Sequence, residues 1–217
     1  IWHQEIEDII VLKNNKGTED NRVRKLDYSI QLSKLFYARF IADGEISLFS
    51  PHDVPGLYDA FGTESFDELY EEYERSDVPR KTIKAQELIL NLLKERAETG
   101  RIYIMNIDHC NSHSSFTDKV EMSNLCQEIT LPTKPVQHID DENGEIALCI
   151  LSAINIGKIR DVQDLETLCD LSVRSLDELI DFQRYPVKAA ELATRARRSL
   201  GIGYIGLAHY LAKQGVK

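Results

Sequence analysis

Thr82-Ile83-Lys84-Ala85-Gln86-Glu87-Leu88-Ile89-Leu90-Asn91-Leu92-Leu93-Lys94-Glu95-Arg96-Ala97-Glu98-Thr99, closed by Gly100 and followed by Arg101-Ile102-Tyr103-Ile104-Met105-Asn106-Ile107, decides the fold class. Ala85, Leu88, Ile89, Leu92 and Leu93 recur at the spacing of one helical face, so the pattern predicts a helix over 82–99 with Gly100 as its stop. The β-rich run 101–107 then predicts a strand. Upstream, Asp27 to Leu32 alternates like a strand, and Leu35, Phe36 and Phe40 predict a short helix. Asp43-Gly44 follows as a turn before an extended Glu45 to Phe49. A strand, helix, strand rhythm that occurs more than once points to an α/β architecture with helices packed on a sheet.

The flanks fit this pattern. Ile6, Ile9 and Ile10 predict a helix over residues 1–12 that Asn14-Asn15-Lys16-Gly17 ends. Ser50-Pro51-His52-Asp53 reads as a helix start, with Ser50 capping, Pro51 in the first helical position and Asp53 near the positive end of the dipole. The charges between Glu68 and Glu74, interleaved with Phe66, Leu69, Tyr70 and Tyr73, read as the solvated face of a helix. Asp161 to Phe182 predicts another helix, capped by Asp161. Its buried stripe would be Leu165, Leu168, Cys169, Val173, Leu176, Leu179 and Ile180, with Cys169 acting as a small hydrophobe. Gly201-Ile202-Gly203-Tyr204-Ile205-Gly206 matches the dinucleotide pattern of glycines. The Ala- and Arg-rich stretch Ala189 to Leu200 before it reads as helix rather than strand, which argues against a nicotinamide-binding site.

The 217 residues suffice to bury a sizeable core, and no apolar run approaches membrane-spanning length. A formal net charge of -10 argues against a nucleic-acid-coating surface, which needs clustered Lys and Arg. Cys110, Cys126, Cys149 and Cys169 form no CxxC, which disfavours a zinc ribbon or a secreted disulfide framework and favours a cytoplasmic chain with reduced or catalytic thiols. The start at Ile1-Trp2-His3 and the end at Gly215-Val216-Lys217 read as those of an excerpt, a single partial domain over 1–217 of a larger chain.

Chemistry concentrates in Ser123-Asn124-Leu125-Cys126-Gln127-Glu128 and, after a Pro-bounded loop, in Glu142-Asn143-Gly144-Glu145-Ile146-Ala147-Leu148-Cys149. If 123–129 is extended, Asn124, Cys126 and Glu128 share one face at about 6.6 Å intervals. An amide, a thiol and a carboxylate would then meet one small substrate. The plainer alternative leaves Cys126 in the core and Glu128 on the surface. Asp108-His109-Cys110-Asn111-Ser112-His113 has the residue types of a metal site, but without a second thiol cluster it reads as a hydrogen-bonded loop, and no metal is assigned to this chain.

The chain resembles the large (alpha) subunit of class I ribonucleoside-diphosphate reductases, in particular the Ia-type bacterial and phage enzymes. The resemblance rests on Ile1-Trp2-His3, Leu12 to Asn15, Leu48 to Phe61, Thr99 to Tyr103, Asp108 to Asn111, Ser123 to Cys126, Leu131 to Pro135, Asp141 to Cys149 and Arg197 to Gly203. It implies part of a ten-stranded α/β barrel with helices outside the strands. It implies a thiyl radical at Cys126 on a finger loop, with Glu128 accepting the proton of the substrate 3'-hydroxyl and Asn124 hydrogen-bonding the ribose. Ser123, Leu125 and Gln127 complete the substrate-binding stretch. Cys149 matches the second of two cysteines that reduce the substrate and become a disulfide, the first lying upstream of Ile1.

The same resemblance implies a ribonucleoside diphosphate substrate and a separate metal-containing small (beta) subunit that supplies the radical. Thioredoxin or glutaredoxin would be the reductant, in bacterial or phage-infected cytosol. ATP and deoxynucleotide effectors would bind portions outside this chain, and this chain would hold no cofactor of its own. Alone it is expected to be inactive. The rival from another class is a non-catalytic structural or assembly fragment of a split reductase.

Overall fold

The computed structural model describes residues 1–216, apart from the side chain of Asn21. Helix α1 (Ile6–Ile10) buries Ile6 and Ile10. Strand β1 (Ser29–Leu32) alternates as its sequence requires, with Ile30 and Leu32 inside. Ser33 then caps helix α2 (Lys34–Ile41) by accepting a hydrogen bond from the Phe36 N–H. The Asp43-Gly44 turn leads into strand β2 (Glu45–Phe49), which matches the expectation at both ends.

Ser50 to Asp53 is not a helix start. The segment makes tight turns, and helix α3 (Leu57–Ala60) begins only after Gly56, whose φ of 81° lies in the left-handed region. Val54 precedes Pro55, so the helical conformation is disfavoured at Val54 and a backbone donor is missing at Pro55, which breaks a helix launched from Ser50. Helix α4 (Phe66–Arg75) buries Phe66 and Tyr70 and exposes Asp67, Glu68 and Glu72 as expected, whereas Glu71 and Glu74 are half-buried and turn toward Arg39.

The helix predicted over 82–99 divides into strand β3 (Arg80–Lys84) and helix α5 (Ala85–Thr99). Thr82 and Lys84 belong to β3 because β2 pairs with it antiparallel, Ser47 opposite Thr82, a partner that no local periodicity announces. On α5, Ala85, Leu88, Ile89 and Leu92 are buried, whereas Leu93 is 45% exposed and leaves the stripe. Gly100 ends α5 in the left-handed conformation. Strand β4 (Tyr103–Asn106) pairs parallel with β1, Ile30 opposite Ile104, and runs straight into helix α6 (Ile107–Ser112). The Asp108–His113 segment read as a loop is therefore largely helical.

Two compact units divide the chain, Ile1–Leu131 and the residues from Pro132 onward. The first holds two apolar clusters. One gathers α1, β1, α2, β2, β3 and α5 around Leu48, Leu88 and Leu92, and the other gathers Phe49, Leu57, Phe66 and Met105.

In the second unit, strand β5 (Leu151–Asn155), helix α7 (Asp164–Phe182), helix α8 (Lys188–Arg197), strand β6 (Gly201–Ile205) and helix α9 (Leu207–Lys213) follow in order. β5 and β6 pair in parallel, Ala153 opposite Gly203, across the helical crossover. The glycine run is thus itself a strand, not the phosphate loop of a dinucleotide fold, and Gly206 opens α9 with φ 75°.

The core of this unit is small: Ile150, Leu176 and Ile180 are buried, with Leu148, Leu200 and Ile202 packed against them. Cys169 is exposed, contrary to expectation. It lies seven residues before Leu176, about 10 Å up the helix axis and outside the reach of that core. Val173 and Leu179 are exposed as well. Asp161 accepts a hydrogen bond from the Gln163 N–H in a turn before α7, so the helix begins three residues later than its sequence suggests. Among the described residues no helix is long and apolar enough to cross a membrane.

Candidate active site

The stretch Ser123–Glu128 is a closed loop, not the extended segment expected of it. The Asn124 N–H donates to the Ile129 carbonyl (3.1 Å), and the Ile129 N–H donates back to the Asn124 side-chain oxygen (3.0 Å). Inside this ring the Gln127 N–H donates to the Asn124 carbonyl (3.2 Å), and Gln127 adopts φ 66°. Ser123 Oγ adds a bond to the same carbonyl (3.0 Å). An Asn side chain can substitute for a backbone partner, and its carboxamide here closes the turn that a straight strand would have forbidden. Asn124, Cys126 and Glu128 therefore do not stand in a row. Leu125, Cys126 and Glu128 are exposed at the loop tip.

Cys126, Gln127 and Glu128 open onto a cavity of about 780 Å³ whose other side is built by β4 and α6. Asn106, His109, Cys110 and His113 line it; Ser123, Asn124 and Leu125 do not. That volume suits a small-molecule site. His109 and His113 lie one helical turn apart with ring centroids 5.6 Å from each other, and His113 Nδ1 lies 2.9 Å from Ser112 Oγ and 3.2 Å from the His109 carbonyl oxygen. Burial pushes the Cys110 thiol pKa up, which disfavours its thiolate. The sequence reading missed the two histidines as cavity residues. Their i, i+4 spacing was the available signal, hidden because the segment was taken for a loop.

Cys149 belongs to the second unit and is exposed, immediately before buried Ile150 and β5. The segment leading to it is pinned. Lys134 and Glu145 exchange backbone hydrogen bonds (3.1 Å each way), and the Ile146 N–H donates to the Ala189 carbonyl (3.3 Å). The Glu145 carboxylate takes ion pairs from Lys134 (2.7 Å) and Arg197. Burial alone would raise its pKa, but the two cations outweigh that and hold it below the ordinary value of 4.5. Asp141, itself buried, accepts the N–H groups of Gln137 (2.9 Å) and Asn143 (2.8 Å), and these bonds lower its pKa.

A loop-borne thiol and carboxylate thus share one cavity, and a second exposed thiol lies in the following unit. The profile of the family described as "Ribonucleotide reductase, barrel domain" matches residues 1–217. The chain belongs to this family. Over its whole length it is 60% identical to the ribonucleoside-diphosphate reductase subunit alpha of Haemophilus influenzae. Over 99% of its length it is 55% identical to the ribonucleoside-diphosphate reductase 1 subunit alpha of Escherichia coli, and over 98% it is 43% identical to the ribonucleoside-diphosphate reductase subunit alpha of Enterobacteria phage T4. It spans about 30% of the length of these reductase subunits. Family membership is consistent with the mixed α/β fold seen here.

Proposed function

We propose that this chain is part of the catalytic barrel domain of a ribonucleoside-diphosphate reductase and carries its hydrogen-abstracting thiol, Cys126. Cys126 and Glu128 on one closed loop over one cavity carry this reading. The strand pairs of both units, each flanked by helices, are read as contributions to a ten-stranded α/β barrel completed by the rest of a longer chain.

Replacing the ribose 2'-hydroxyl with hydrogen is difficult by polar routes. A radical at the adjacent 3'-carbon lets that hydroxyl leave as water once it is protonated. In the proposed cycle the Cys126 thiyl takes the 3'-hydrogen, and Glu128 accepts the 3'-hydroxyl proton. Asn124 is assigned a hydrogen bond to the ribose, made when its side chain turns from the Ile129 N–H to the substrate, while Ser123, Leu125 and Gln127 shape the stretch around it. Cys149 and a partner thiol outside residues 1–217 give up two electrons and two protons and become a disulfide, after which Cys126 returns the hydrogen to the 3'-carbon. Thiol exchange with thioredoxin or glutaredoxin restores the pair. The radical is supplied by a metal-containing small subunit, and effector nucleotides bind portions of the longer chain outside 1–217.

Substitution in the longer reductase, assayed with its small subunit, tests the reading. Cys126→Ser is expected to abolish deoxynucleotide formation while substrate binding stays within a few-fold, because a hydroxyl cannot form a comparable radical. Glu128→Gln keeps the shape, removes the base and is expected to lower kcat by about 10²-fold. Measurable turnover by a verified Cys126→Ser protein would refute the assignment.

A further inference from the structure

We infer that Asn111 and Gln31 are positioning residues for the loop that carries Cys126, gripping its entry segment at Val120 and Glu121 so that the thiol is held at a fixed depth. The inference rests on the reading of Cys126 as the hydrogen-abstracting group. Val120 is fully buried yet belongs to no strand, so its backbone N–H and C=O need partners from elsewhere. Asn111 supplies both: its Oδ1 accepts the Val120 N–H (2.7 Å) and its Nδ2 donates to the Val120 carbonyl (3.1 Å). A further bond from Nδ2 to the Ile107 carbonyl (3.3 Å) locks the amide onto α6. Gly62 leaves the space for it. At φ +84°, a Cβ there would stand 2.9 Å from Asn111 Nδ2 and 2.6 Å from Ile107.

One residue further on, Gln31 Nε2 reaches from β1 to donate to the Glu121 carbonyl (2.7 Å). β1 pairs with β4, and α6 continues β4, so both grips are anchored in the same strand pair. Beyond them, Asn124 and Ile129 close the loop on itself. Only Met122 and Ser123 lie between the gripped segment and the closed ring. Neither Asn111 nor Gln31 lines the cavity that Cys126 faces, so their action on the reaction runs through the main chain. Hydrogen transfer depends steeply on the donor–acceptor gap, and a misplacement of about 1 Å can cost about 10²-fold in rate.

Asn111→Ala and Gln31→Met, made in the longer reductase and assayed with its small subunit, test the inference. Both are expected to lower kcat about tenfold or more while leaving KM within about twofold, since substrate contacts are untouched. They are also expected to raise the isotope effect on kcat with substrate deuterated at the 3'-carbon, because abstraction becomes slower relative to the other steps. Unchanged kcat and isotope effect in folded variants would overturn the inference, as would activity that merely tracks the folded fraction. Should Asn111→Ala fail to fold, Gln31→Met decides alone, because Gln31 is only half-buried and Met keeps its length. Cys126→Ser in parallel separates the two readings. If it stays active, the thiol assignment fails; if it is dead while both grip variants keep wild-type kcat, only the grip fails.

Discussion

Glu145, four residues before the exposed Cys149, is held between two cations. With Lys134 and Arg197 holding its pKa below 4.5, there is a pH range in which the unfolded chain binds a proton at this site and the folded chain does not. Stability therefore rises with pH across that range. The contribution is complete above about pH 4.5 and is lost as pH falls through the lowered folded value. Glu145→Gln should melt at a lower temperature than wild type at pH 7, and the gap should shrink as the melts are repeated below pH 4.5. A gap of the same size at every pH would mean that the ion pairs add nothing. Cys126 and Glu128 could be singled out by residue type before the fold was known, and both line one cavity. Their arrangement was not legible. A hydrophobic pattern cannot show that Asn124 spends its side-chain oxygen on the Ile129 N–H, nor that Gln127 enters the left-handed region.

Among the elements, β2 and α4 illustrate a contact that joins non-neighbours in sequence. The buried Tyr70 hydroxyl accepts the Ser47 N–H and donates to the Ser47 carbonyl, both at 2.7 Å, so a side chain on α4 replaces a missing strand partner for β2. Burial pushes the Tyr70 pKa well above its usual value, keeping the hydroxyl protonated for this double role. Arg39 of α2 lies 5.1 Å from the Tyr70 ring centroid and pairs with both oxygens of Glu74, which shares α4 with Tyr70. Tyr70→Phe leaves two buried backbone groups without that partner and should cost about 1–3 kcal/mol in urea unfolding. A loss below about 0.5 kcal/mol would show that water or a shift of β2 replaces the hydroxyl. Elements whose signal is local were legible: α5 and α7 by their stripes, β2 by its length and turn. Those decided by distant pairing were not, which is why β3 was absorbed into the helix after it. Pro55 overrode a well-formed cap signal at Ser50 for steric reasons four and five residues downstream.

At the scale of the whole molecule, α/β alternation was legible from the rhythm of the chain, but the uneven burial of its two halves was not. The first unit centres on many fully buried side chains, whereas the second buries Ile150, Leu176 and Ile180 and leaves Leu151, Phe182, Tyr204 and Ile205 exposed. A stripe predicts which residues can be buried, and Cys169, on the stripe but away from the core at Leu176 and Ile180, is exposed. Cys149 tests the largest-scale part of the proposal, because its redox partner is placed outside residues 1–217. In the longer reductase given substrate and no external reductant, one turnover should oxidise Cys149. Peptide mapping should then find it bridged to a cysteine beyond this chain, with Cys110, Cys126 and Cys169 still alkylatable after denaturation. In the proposed cycle, returning the hydrogen regenerates the Cys126 thiyl and passing the radical back to the small subunit leaves a thiol, so a Cys126–Cys149 bridge would contradict the division of labour between abstraction and reduction. A bridge to Cys110 or Cys169, or a Cys149 still reduced after turnover, would instead remove Cys149 from the reducing pair while leaving the fold and the Cys126 cavity as described.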